Sequence, residues 1–86
     1  MYNVGKWYKT IDCTLHVYID EDCMFTTYCG EVISGNEPFL ILEIKSTYEM
    51  VSNGFATVAK ILHFGKIGYV VLVNSQFNFD IVEHDV

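Results

Sequence analysis

From Ile11 onward, apolar and polar positions alternate along the chain. Cys13, Leu15, Val17 and Ile19 share one parity and Thr14, His16 and Tyr18 the other, which is the pattern of a half-buried strand. Asp20-Glu21-Asp22 interrupts it as an acidic turn. Cys23 to Ile33 resumes it with β-branched and aromatic residues, and Gly30 inside that run predicts a bulge or bend. Ser34 to Pro38 is a second turn cluster, and Pro38 fits only a strand start or an edge. Phe39 to Lys45 is apolar on both parities until Glu43, as a central strand would be. Ser46-Thr47 reads as a short break, and Tyr48 to Ser52 as a short strand entering the Asn53-Gly54 hairpin turn. Phe55 to Phe64 reads as a strand, with a short helix the alternative that its Ala, Lys and Leu leave open. Gly65-Lys66 turns the chain into a strand over Ile67 to Val73. Phe77, Phe79 and Ile81 predict a terminal strand, and Glu83-His84-Asp85 a solvated tail. Residues 1–9 are mixed, with Trp7 and Tyr8 as the first large anchors.

Two registers follow. A turn at Asp20-Glu21-Asp22 sets Ile19 opposite Cys23, Val17 opposite Phe25, Leu15 opposite Thr27 and Cys13 opposite Cys29. All apolar positions then share a face, and the two cysteines come near disulfide reach on oxidation. A turn at Gly65-Lys66 with Phe64 opposite Ile67 sets Leu62 opposite Tyr69, Lys60 opposite Val71, Ile61 opposite Val70 and Ala59 opposite Leu72. Both faces of this second hairpin are apolar, which is more than one small core needs.

Five to seven short antiparallel strands joined by tight turns predict an all-β fold, a small barrel or meander. KILHFGKIGYVVLV, residues 60–73, resembles the closing hairpin of SH3-like barrels in bacterial and phage proteins, where a Gly-Lys-x-Gly-aromatic-Val run is common. PFLILEI, residues 38–44, resembles a preceding strand of that fold. The resemblance covers the second half of the chain and implies a fold. Members bind peptidoglycan, peptides or nucleic acids, or act as scaffolds, so no single function comes with it.

Length and composition then bound the function. With 86 residues, 51% of them hydrophobic and 15% aromatic, the expectation is one domain over residues 1–86 with a dense core. The formal net charge is -6, and the five basic residues are all lysines, scattered at 6, 9, 45, 60 and 66. Without arginine forks or a cationic cluster, nucleic acid is an unfavourable partner, and an acidic chain avoids anionic membrane surfaces. No apolar signal core and no run near ~18 apolar residues is present. Three cysteines cannot all pair within one chain. The cytoplasm, or the host cytoplasm for a phage-encoded chain, is the expected location.

Little points to catalysis. Cys13 and His16, three apart, point to opposite faces of a strand, and Cys23 and Cys29 lie about 20 Å apart along one. Neither pair can share a zinc ion, so no metal site is expected. No serine or cysteine stands in a nucleophile motif and no glycine loop cradles phosphate. Glu31, Glu43 and Glu49 read as solvated strand faces, and His63 as a packed or edge histidine. The expectation is no enzyme and no cofactor.

Surplus apolar surface points instead to a protein partner. The candidate contact residues are Tyr18, Tyr28, Leu62, Phe64, Ile67 and Tyr69, with Asp20, Glu21 and Asp22 as an acidic rim. Tyrosine suits interfaces because it is large, stiff and amphipathic. The expected function is a small acidic module, of phage or bacterial origin, that inhibits or modulates a host protein. Self-association through the 55–73 hairpin is a further use of the same surface. The alternatives are a single-stranded nucleic-acid module stacking bases on Trp7, Tyr8, Tyr18 or Tyr28, and a barrel sequestering a small ligand.

Overall fold

The computed structural model describes residues 2–20, 28–49, 54–75 and 81–84. They form seven antiparallel strands: β1 (Trp7–Thr10), β2 (Leu15–Tyr18), β3 (Tyr28–Ile33), β4 (Phe39–Glu49), β5 (Gly54–His63), β6 (Lys66–Ser75) and β7 (Ile81–Glu83). The sheet order is β3-β2-β6-β5-β4-β1-β7, a curled half-barrel built on the β4-β5-β6 meander. This all-β architecture is consistent with an SH3-like fold in general. It runs from residue 7 to residue 83, so it is not confined to the second half. No helix occurs among the described residues, and therefore none long and apolar enough to cross a membrane. Residues 55–63 are strand.

The concave face holds the core. Tyr8, Val17, Ile33, Phe39, Ile41, Ala59, Ile61, Val70 and Leu72 are buried together, with Tyr2, Leu15, Ile44 and Ile81 packed around them. Tyr8 packs edge-on against Tyr2 at 5.4 Å and tilted against Phe39 at 6.3 Å, and its hydroxyl accepts the Asn3 N–H. Burial, then the neighbouring Tyr8, push the Tyr2 phenol up to about 12. Strand β4 runs unbroken through Ser46 and Thr47, contrary to the predicted break. Register shifts between Ile41 and Glu43 and between Ile44 and Ser46 leave Leu42 and Lys45 as extra residues. Bulges of this kind increase local twist and help a sheet to curl.

The curl ends in a clasp at Thr10. This fully buried residue donates its hydroxyl to the Cys13 carbonyl at 2.8 Å. Its own carbonyl accepts the N–H of Asn36, just beyond β3, at 2.8 Å. The loops on both sides carry left-handed residues, Asp12 at φ 55° and Asn36 at φ 69°, types whose short polar side chains tolerate that region.

Two expected registers differ. Leu15 pairs with Ile33, His16 with Val32 and Tyr18 with Tyr28, so Cys13 does not oppose Cys29. It lies in the β1–β2 loop as a half-buried free thiol. Of the acidic triplet expected to turn the chain, Asp20 follows β2, and Glu21 and Asp22 lie outside the described residues. The irregularity predicted at Gly30 is present, because the register shifts between His16 and Tyr18, opposite residues 28–32. In the β5–β6 hairpin, Leu62 pairs with Ile67 and His63 with Lys66. Its turn is Phe64-Gly65 rather than Gly65-Lys66. A type I′ turn needs positive φ at both central residues. Gly65 takes φ 79° at the second of them and Phe64 is forced to φ 47°. Trp7–Thr10 is a strand that the alternation did not announce, and Glu83 belongs to β7, where it pairs with Lys6 at 3.3 Å. The predicted Asn53 turn position and Phe77 and Phe79 lie outside the described residues.

Candidate functional site

The convex face gathers most of the expected contact residues. Alternation along β5 sends Ala59 and Ile61 to the core and Lys60 and Leu62 outward. Pairing then sets Tyr28, Tyr18, Tyr69, Lys60 and Glu43 in one row across five strands. Ile67, Leu62, Leu40 and Trp7 form the next row. Tyr18, Leu62 and Tyr69 are half-buried; for Tyr28 only the register position is described. Asp20 is exposed just past β2, while Glu21 and Asp22 lie outside the described residues.

Coverage of this face is uneven. At the far end of the hairpin, Ala56 and Val58 point away from the core cluster and are still buried, at 2% and 5% exposure. At the turn the apolar surface is open: Phe64 is 69% exposed and Ile67 62%. The surplus apolar face is therefore closed at one end of the hairpin and open at the other.

Phe64 carries a second peculiarity. A side chain in the left-handed region costs about 1–2 kcal/mol, and this one offsets little of that by burial. It leans on the ring of its neighbour His63, with centroids 4.4 Å apart.

Beside the turn, β2 and β6 part after their one described pair, Tyr18 and Tyr69. A cleft of about 390 Å³ opens there, lined by Val17, Tyr18, Ile19, Ile61, His63, Lys66 and Ile67. A second, of about 330 Å³, lies on the other side of His63 and is lined by Val32, Ser34, Glu37, Phe64 and Lys66 as well. His63 is 8% exposed. Glu37 Oε1 lies 3.3 Å from its Nε2, within ion-pair range, yet the alignment is not that of a hydrogen bond and Nε2 has no hydrogen-bond partner among the described residues. The same Oε1 accepts the Ser34 N–H at 2.7 Å, which explains its orientation.

Sequence reasoning chose its contact residues by type and did not find this cleft. Val17, Ile19, His63 and Lys66 come from two strands whose meeting is set by the sheet order. The available signal was Gly68, a missing side chain in an otherwise bulky strand, which often marks close approach by another segment.

No protein-family model, no curated protein and no solved structure matches this chain. The reading of function therefore rests on the geometry just given. The chain is a small all-β domain whose exposed cluster at the β5–β6 turn can serve as a protein-interaction surface.

Proposed function

We propose that the protein works by binding another protein through the β5–β6 turn and the adjoining convex rows, and not by catalysis. The observation that carries this is Phe64, an exposed phenylalanine held at positive φ at the tip of a hairpin. Backbone strain at an exposed apolar residue is what a contact site retains and a purely structural turn sheds. Ile67 extends the apolar surface from Phe64, and Tyr69 and Tyr18 continue it as amphipathic rings suited to an interface. Asp20 stands at the edge, with Glu21 and Asp22 following in sequence.

The partner in this reading is a protein with a basic rim around an apolar recess, since the chain carries a net charge of -6. Complementary charge speeds such encounters. The effect on the partner is inhibition or modulation, and a phage or bacterial origin accords with the resemblance of the hairpin sequence.

Affinity capture from bacterial lysate with the wild-type chain and with Phe64→Asn and Ile67→Asp tests the reading. The captured protein is then purified and titrated. A partner bound by wild type and weakened at least tenfold by each variant supports it. Equal binding by all three overturns it, as does the absence of any partner that survives reconstitution.

A further inference from the structure

Strand β1 follows only the start of β4. Trp7 pairs with Leu40 and Tyr8 with Phe39. Backbone bonds then tie Ile41 to Lys6 and Gly5, and at Gly5, with φ 83°, the chain turns off that line. Strand β4 continues to Glu49, paired on its other side with β5. Lys45 to Glu49 are five consecutive exposed residues, whereas Val58, Thr57 and Ala56, the β5 partners of Ser46, Thr47 and Tyr48, are buried. Exposure on both parities marks an edge strand, whose outward N–H and C=O groups are a template for another strand. Natural edges are commonly blunted by prolines, lysines or bulges. Here the bulges end at Lys45, and Ser46 to Glu49 keeps regular register with β5.

Two exposed side chains stand together at the end of this edge. Glu49 pairs with Phe55 across β4 and β5, which puts both on one face of the sheet, and Phe55 is 43% exposed. Lys45 is held 3.1 Å from Glu43, while Glu49 has no ion pair among the described residues. A carboxylate beside an aromatic ring is a seat for a lysine or arginine side chain. We propose that the edge of β4 over residues 46–49 takes up an extended segment of a partner protein as an added strand, with a basic side chain seated between Glu49 and Phe55. The backbone of the edge specifies a strand. Glu49, Phe55 and the net charge of -6 specify the basic residue. Tyr48, 42% exposed on the other face of β4, gives the next side chain of the segment an apolar neighbour. This contact lies at the opposite end of β5 from the turn at Phe64 and does not depend on it.

The test is a titration of the full-length, ¹⁵N-labelled chain with the end-blocked peptide Thr-Val-Lys-Val-Thr, followed by amide chemical shifts. Two further peptides are compared, one with Gln in place of Lys and one methylated on every backbone nitrogen. The expected result is saturable shifts confined to residues 42–49 and 55–58, with the Gln peptide about threefold weaker, the size of an exposed ion pair, and the methylated peptide inert. Glu49→Gln removes the preference for Lys and leaves the shifts in place. Phe64→Asn binds the peptide as the wild type does, so failure here and failure of the contact at the turn are told apart. Shifts scattered over the surface, or shifts that do not saturate by about 10 mM, overturn the proposal. So do binding of the methylated peptide and a Lys preference that is missing from the wild type or survives in Glu49→Gln.

Discussion

The backbone of Gly68 runs directly against the side chain of Val17, so that a Cβ built on Gly68 would overlap Val17 Cγ1. Val17 is β-branched and stiff at χ1, which leaves it little room to yield. Strand β2 reaches β6 at that level only because residue 68 has no side chain. Gly68→Ala is expected to lower stability by about 1–3 kcal/mol through overpacking, read from urea denaturation midpoints. Adding Val17→Ala relieves the overlap, so the double variant should lose less than the sum of the singles. Strict additivity would show that the contact does not bear on stability.

Phe64→Asn relieves left-handed strain and removes little burial. An increase in stability of about 0.5–1 kcal/mol is expected, together with loss of partner binding. Thermal denaturation checks the first and titration with the captured partner the second. A marked fall in melting temperature would mean that the ring serves the fold and not a contact.

Thr10→Val keeps shape and burial and deletes the hydroxyl that bonds the Cys13 carbonyl. Leaving this part-buried acceptor without its donor costs about 1 kcal/mol. Hydrogen exchange adds a local reading, since the Asn36 N–H bonded to the Thr10 carbonyl should exchange faster as the clasp loosens. An unchanged Asn36 rate would separate the hydroxyl from the clasp.

The phenol of Tyr2 is pushed up to about 12, first by burial and then by Tyr8. An unfolded tyrosine titrates near ~10, so above that pH the unfolded chain gives up this proton before the folded one does. The stability this group contributes is fully present below pH ~10 and is lost as pH rises towards ~12. Tyr2→Phe should flatten that part of the alkaline decline in denaturation midpoint. A decline of the same steepness in the variant would assign it to other groups.

What the sequence revealed and what it hid divide along one line. Alternation correctly placed Leu15 and Val17 on one face, and Ile61 and Val70 on one face of their hairpin. It misplaced their partners, and both errors have the same cause. Moving the β5–β6 pairing from Leu62–Tyr69 to Leu62–Ile67 shifts it by two residues, which leaves every side chain on its own face. Apolar patterning is blind to such a shift, and only the φ demands of the turn resolve it. Leu15 found Ile33 instead of Thr27, again an even displacement. The convex patch was legible as residue types but not as rows, because the meeting of Tyr18 and Tyr69 depends on β2 crossing to β6. The cleft holding His63 and Lys66 depends on the same crossing. Ser46 and Thr47 looked like a break because two bulges let β4 carry polar residues without ending.

The order of strands also sets when this chain can fold. During synthesis β1 is made well before either of its neighbours, β4 and β7. Strand β2 has β3 close behind it and then waits for β6. Non-local pairings of this kind are slow to form, because the loop entropy is lost before the contacts form. In the meander of β4, β5 and β6 each strand pairs with the one that follows it, so β1 and the outer edge of β2 wait for pairings that this later part supplies. Tyr8 and Val17, both in the core, are therefore made before the strands that bury them.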